Sequence, residues 1–277
     1  MINKRKSIPL PRVLRFIRQF SIPYKLGLLE RLYGSCLARE GIGWVEASNG
    51  VVWKLDLAEP CQRWIVYGDY EGPLQMEWLR QWFRLSGGGV VIDSGANIGQ
   101  MALFLGPLPG VQLIAFEPLP EASDWLEECL QYYPQWAVRV IRQGLSSANE
   151  ELIMQVDGAR STSRTDWYRQ QHLPMVSLPM TTLDKFLEEN SIPSVRLWKL
   201  DVEGHELQAL EGARRHLKRQ SIAAILVELS ELTECERLLR DCGYALFRIL
   251  RRGRLERFAG SNRPTGNLLA LPTSFSL

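Results

Sequence analysis

The chain has 277 residues, 45% hydrophobic and 23% charged, with a formal net charge of +2. This length suits one large domain with an extension, or two small domains, and the composition excludes a disordered, collagen-like or disulfide-stapled chain. The near balance of charge gives no reason to expect nucleic acid, and five scattered cysteines without metal-type or redox spacing suit a reducing, cytoplasmic setting.

Residues 1–85 do not alternate strand with helix and are expected to form an N-terminal cap of helices and a β-hairpin. The basic run Lys4, Arg5, Lys6, Arg12, Arg15 and Arg18 reads either as a solvated surface or as an attraction for an anionic substrate or membrane. Pro9 and Pro11 interrupt any apolar stretch there, so no signal peptide is expected. A helix is predicted from Pro23 to Arg39, and a hairpin from Trp44 to Leu57 about Ser48-Asn49-Gly50. From Gly72 to Leu85 the residues Leu74, Trp78, Leu79, Trp82 and Phe83 form an apolar stripe at helical spacing, a core face.

Gly87-Gly88-Gly89 marks entry to a second region, 86–277, in which strands and helices alternate. Strands are predicted at 89–93, 111–117, 137–142, 195–201, 222–229, 244–250 and 266–271, and helices at 98–106, 120–133, 181–190, 205–219 and 231–242. This is the pattern of a doubly wound α/β sheet. Residues 158–179 are polar and irregular and read as a long loop. Residues 94–116 carry no charge, but their glycines and prolines argue against a spanning helix, so no integral membrane segment is expected. A second basic cluster, Arg248 to Arg257, reads as a charged hairpin.

The first strand, Val90-Val91-Ile92-Asp93, ends in an acid and runs into Ser94-Gly95-Ala96-Asn97-Ile98-Gly99 and a helix start. The second, Val111 to Phe116, ends in Glu117, where a carboxylate accepts hydrogen bonds from both hydroxyls of a ribose. Either a nicotinamide cofactor or S-adenosylmethionine suits that much. Asp93 favours the second, because it would repel a pyrophosphate seated on the loop while suiting an ammonium and a sulfonium. Gly95 and Gly99 flanking Asn97 also depart from the dinucleotide glycine pattern. A branched residue at Gly95 is expected to enter the ligand's space and leave the fold largely intact.

The Asp93–Gly99 loop resembles the glycine loop of the FkbM-type S-adenosylmethionine-dependent methyltransferases. Phe116-Glu117-Pro118, Thr182-Leu183-Asp184 and Lys199-Leu200-Asp201-Val202-Glu203-Gly204-His205-Glu206 resemble further blocks of that family, in the same order, over about Tyr67 to Pro272. Ser94 stands where the family usually has Val or Ile, His205 where Ala is common, and Gln143 to Ser147 lacks the acid often placed near the adenine. The resemblance implies a Rossmann-like, seven-stranded class I methyltransferase sheet and O-methylation of a hydroxyl on a sugar or secondary metabolite. N-methylation of a peptide or amine, a nicotinamide-dependent oxidoreductase and a silent binder are the competing readings.

Methyl transfer requires the acceptor to be held in line with the sulfonium and its proton to be removed. Asp93, Gly95, Asn97, Gly99 and Glu117 are the expected cofactor residues. Glu71, in a Tyr-x-Gly-x-Tyr-Glu segment like the family's lead-in, is a further one. Asp201 is the candidate for binding the acceptor hydroxyl or a divalent metal, and Lys199, two residues earlier, shares its face in a geometry that permits an ion pair. His205 is the best-placed of three histidines to accept a proton. Thr182, Asp184 and Glu206 read as helix-terminus residues. Oligomeric state is not legible.

Overall fold

The computed structural model describes residues 5–20, 22, 24–68, 73–157, 160–162, 175–227, 232–259 and 267–274. The chain divides into two units, Met1–Arg80 and Gln81–Leu277, the division falling within the helix Pro73–Ser86.

In the first unit β1 (Ile42–Glu46) and β2 (Val52–Asp56) pair antiparallel. The expected turn joins them: Gly50 takes φ +83, and the Asn49 side chain accepts from Val51 N at 3.2 Å. The helix predicted from Pro23 appears as Lys25–Leu29, a π turn at Glu30–Gly34 and Ser35–Ala38, Pro23 itself lying outside the described residues. A knot of charge sits against the π turn. The Glu30 carboxylate bonds the Arg63 guanidinium and accepts from Tyr67 Oη at 3.1 Å, while Arg63 also donates to the carbonyls of Leu57 (2.6 Å) and Ala58 (2.9 Å). Arg63 holds the Glu30 carboxyl below its ordinary value, and burial pushes the Tyr67 hydroxyl up. Two helices were not expected, Arg12–Ile17 and Pro60–Tyr67. Each starts at a proline, Pro11 at the N-cap and Pro60 in the first turn, where the fixed φ assists helix entry rather than preventing it.

The second unit holds β3 (Gly89–Ser94), β4 (Val111–Phe116), β5 (Ala137–Ile141), β6 (Gly144–Leu145), β7 (Glu151–Asp157), β8 (Arg160–Thr162), β9 (Met175–Thr181), β10 (Leu197–Leu200), β11 (Ile225–Val227), β12 (Tyr244–Ile249), β13 (Leu255–Arg257) and β14 (Leu268–Pro272). The main sheet runs β13-β12-β14-β11-β10-β3-β4-β5. Neighbours from β11 to β5 pair in parallel, and β14 lies antiparallel between β11 and β12. All seven expected strands are there. The eighth, β13, is a three-residue edge strand whose Leu-Glu-Arg sequence carries no apolar alternation to mark it. Chain order reverses between β3 and β10, so a crevice opens at their carboxyl ends, where α/β sheets bind ligands.

Alternate residues of one sheet face, Ile92, Phe116, Trp198, Leu200, Ile225 and Val227, form a dry core with Leu183, Leu187, Leu210, Leu217 and Leu239 from the covering helices. The predicted helix 205–219 is two, Glu206–Glu211 and Arg214–Lys218. Asp184 causes the break. Its backbone N–H takes the Gly212 carbonyl at 2.8 Å, and its carboxylate accepts from the backbone N–H groups of Arg215 (2.8 Å) and His216 (3.0 Å). Asp184 therefore caps the second helix of that pair. Thr182 caps its own, accepting from Lys185 N at 3.2 Å.

The loop expected at 158–179 is corrected in part. A second sheet, β6-β9-β7-β8, takes in β8 and β9, and the residues between them lie outside the described set. Pro179 hid β9. It sits opposite Glu151 in a pair without mutual hydrogen bonds, since Met180 N donates to Glu150 O at 2.8 Å. The missing N–H thus faces away from β7, and the ladder survives.

Candidate functional site

Beyond β3 the chain turns sharply. The amides of Gly95 and Ala96 both donate to Phe116 O, at 3.1 and 3.0 Å, which ties the glycine loop to the end of β4. Gly95, Asn97 and Gly99 take φ values of +76, +49 and +90. At Gly95 the backbone also leaves no room: a Cβ would lie 1.9 Å from the carbonyl oxygen of Asp201. The expectation that a branched residue here spares the fold is therefore corrected, because it would first strike the end of β10.

Glu117 is 4% exposed and anchors the same loop. Its Oε2 accepts from Asn97 N at 2.8 Å and its Oε1 from Leu119 N at 2.9 Å. Each carboxylate oxygen keeps a second acceptor site, which is the capacity that two ribose hydroxyls require. Burial raises this carboxyl to about 7, against the two amide bonds that favour its ionised form. Asp93 is buried in β3, and Gly99 stands at the N-cap of the helix Gln100–Leu105 that follows the loop.

At the end of β10 the expected ion pair is present, Lys199 Nζ to Asp201 Oδ2 at 2.9 Å. Lys199 is 1% exposed. In the parallel register Lys199 is the direct partner of Asp93, so one buried cation stands beside two carboxylates. Glu117, at the end of the neighbouring strand β4, adds a third buried or half-buried carboxylate to the crevice. Asp201 N donates to Ser94 O at 3.2 Å. Ser94, the departure from the family pattern, is fully buried and accepts the Trp198 indole N–H at 2.7 Å. A Val there would leave that donor without this acceptor.

His205 is buried at the N-cap of the helix Glu206–Glu211. Glu206 folds back over the preceding loop, its Oε1 accepting from Gly204 N at 2.9 Å. The His205 ring reaches two residues that sequence reasoning missed. Its Nε2 lies 3.1 Å from Ser146 Oγ, and Ser146 Oγ donates to Glu150 Oε1 at 2.9 Å. A hydroxyl has one proton; once given to the carboxylate, Ser146 can only accept from the imidazole. Nε2 then carries the ring proton and Nδ1 the lone pair. Burial holds the imidazole below its ordinary pKa, opposed by the nearby Glu150 charge, so it stays a neutral base at physiological pH.

Glu71, with Tyr70, His172 and Glu228, lies outside the described residues. His216 is structural, its Nδ1 2.7 Å from Asp184 Oδ1. Among the described residues no three His, Cys, Asp or Glu side chains converge as a metal site needs, so Asp201, Glu203 and His205 do not form a ligand set.

An open sheet in this order, with a glycine loop between two acidic strand ends at its switch point, defines a Rossmann-like methyltransferase. The chain belongs to the FkbM methyltransferase family, whose domain model matches residues 93–246. It is 30% identical over 142 residues to the hexuronic acid methyltransferase AglP of Haloferax volcanii, a match covering 50% of this chain and 55% of that protein. Among solved structures it is similar to the precorrin-6y C5,15-methyltransferase of Geobacter metallireducens, at a TM-score of 0.41 and 14% identity over 72% of this chain and 87% of that one. The METTL16 methyltransferase domain matches at 0.42 and 14%, over 73% and 69%.

Proposed function

We propose that residues 86–277 bind S-adenosylmethionine and transfer its methyl group to a hydroxyl of a sugar or secondary metabolite. The observation that carries this reading is Glu117, a buried carboxylate locked by two backbone amides with one acceptor site left on each oxygen. The named activity of the AglP relative supports a sugar acceptor, and five free thiols support a reducing, cytoplasmic setting.

When bound, S-adenosylmethionine supplies a methyl on a sulfonium, so the S–CH3 bond breaks as the O–CH3 bond forms and the hydroxyl loses its proton. Glu117 holds the ribose, and the backbone at Gly95 and Gly99 lets the ligand approach. Asp201, kept in place by Lys199, orients the acceptor hydroxyl. His205 takes its proton on Nδ1 and is left as an imidazolium that Glu150, through Ser146, favours electrostatically.

Calorimetry with S-adenosylmethionine tests the reading. Glu117→Ala is expected to weaken binding by about 1.5–3 kcal/mol. The ionised carboxylate is lost as pH falls through about 7, so wild-type affinity should drop about tenfold per pH unit below that value while the variant stays flat. A folded Glu117→Ala protein with undiminished affinity would reject the ribose assignment.

A further inference from the structure

The first 39 residues hold nine of the chain's lysines and arginines and a single acid, Glu30. This segment therefore carries +8, while the remaining 238 residues carry −6. Its one acid pairs with Arg63, and Lys6, Arg15 and Arg18 pair with Glu40 and Glu46 beyond the segment. Such asymmetry within one chain marks a surface built for an anionic partner.

The same segment exposes its large apolar side chains. On the run Lys25–Ala38, Lys25, Leu29 and Leu37 are buried, yet large apolar side chains beside that buried row stay exposed: Leu28 at 45% and Leu32 at 57%, with Tyr24 at the N-cap 92% exposed. These three recur every four residues, so they form one outward row. Around Arg12–Ile17 the pattern repeats, with Leu14 and Arg18 buried and Val13 (58%) and Phe16 (64%) outward. Phe16 and Phe20 meet edge to face at 5.0 Å. Exposed Arg12, Arg15, Arg31 and Arg39 stand among these residues. Large apolar side chains left exposed in such number beside the buried row have another medium to meet.

We propose that the exposed face of residues 12–20 and 24–39 docks on the surface of an anionic lipid bilayer, its aromatic and leucine side chains entering the headgroup boundary and its arginines meeting the lipid phosphates. Aromatic and aliphatic side chains ringed by arginine form the composition of interfacial helices. A second copy of this chain is disfavoured, because a two-fold interface would set Arg12, Arg31 and Arg39 of one copy against those of the other. A nucleic acid would use the arginines and could stack on Phe16 or Tyr24, but has no use for Val13, Leu28 and Leu32. This inference is independent of the methyl-transfer reading.

The test uses the full chain and co-sedimentation with vesicles of phosphatidylcholine alone, or with about 30 mol % phosphatidylglycerol. Binding to the anionic vesicles is expected to exceed binding to neutral ones at least about tenfold, and to collapse in about 0.5 M salt. A Phe16→Ser/Leu28→Ser/Leu32→Ser variant should lose binding about tenfold or more while its far-ultraviolet dichroism is retained. Should that variant misfold, Arg12→Gln/Arg31→Gln/Arg39→Gln changes only exposed charge and should show the same loss. Equal binding to both vesicle types, no binding to either, binding unaffected by the folded variants, or a dimer that the serine changes dissociate would each overturn the proposal. So would oligonucleotide binding that outcompetes the anionic vesicles.

Discussion

The carboxyl ends of β4 and β10 face the same crevice, and each stabilises an acid in a different way. At β4, Glu117 takes both of its hydrogen bonds from backbone amides, Asn97 N and Leu119 N. At β10, Asp201 takes Lys199 Nζ, and His205 takes Ser146, itself bonded to Glu150. Backbone amides neither titrate nor drift, so the β4 end is suited to holding a constant part of a ligand. Side-chain partners can be exchanged and can move protons, so the β10 end is suited to the variable acceptor and to chemistry.

The largest effect is expected where the two ends touch. The Asp201 carbonyl lies against Gly95, and Gly95→Ala would drive a methyl to 1.9 Å from it at a φ of +76. Neither backbone can yield without disturbing Glu117 on one side or the Lys199 pair on the other. We expect a loss of about 4 kcal/mol or more in chemical denaturation, the scale of strain at a special φ combined with a forced overlap. An alanine variant that melts like the wild type while losing the cofactor would show that the two ends are mechanically independent.

Next in size comes the chemistry at β10. Asp201→Asn keeps the shape and an acceptor for Lys199 but removes the charge. Turnover on the true acceptor is expected to fall about 100-fold, with S-adenosylmethionine affinity within a few-fold of wild type. Full activity in the variant, or cofactor affinity that falls in parallel, would erase the division of labour between the two strand ends.

That division also explains what the sequence made legible. The glycine loop and Glu117 were readable because their bonds close between neighbouring βα segments through backbone groups. Glycine and asparagine at 95, 97 and 99 advertise the positive φ values that such a loop needs. Lys199 and Asp201 were readable because strand alternation puts them on one face. His205 could be named, but its partner could not, because Ser146 is 59 residues away in a stretch that reads as an ordinary turn. Ser94 showed only as a departure from a pattern. Its reason, the Trp198 indole, lies 104 residues on in a strand that reads as simply apolar. In the second sheet β9 was lost to Pro179, whose position in the ladder no local rule reveals.

The smallest effect is expected from the outermost link on the β10 side, and it discriminates most finely. If Ser146 serves only to fill space, Ser146→Ala removes one buried hydrogen bond, costs about 1 kcal/mol of stability and leaves kinetics alone. If it fixes the His205 tautomer, alanine frees the ring to place its proton on either nitrogen, and Glu150 no longer reaches the imidazolium through a hydroxyl. Turnover should then fall about tenfold at saturating cofactor, with the KM for S-adenosylmethionine unchanged. The acid limb of the turnover profile should also move to lower pH. The Glu150 charge raises the His205 pKa against burial, and the Ser146 hydroxyl that accepts from the ring favours the imidazolium in the same direction, so losing that link lowers the pKa and weakens the protonated product state. A shift to lower pH with reduced turnover is therefore the expected result. Ser146→Thr, which keeps the hydroxyl, should restore most of the rate. An alanine variant with wild-type turnover and an unmoved profile would return Ser146 and Glu150 to a purely structural role and leave Asp201 as the one charge that acts on the acceptor.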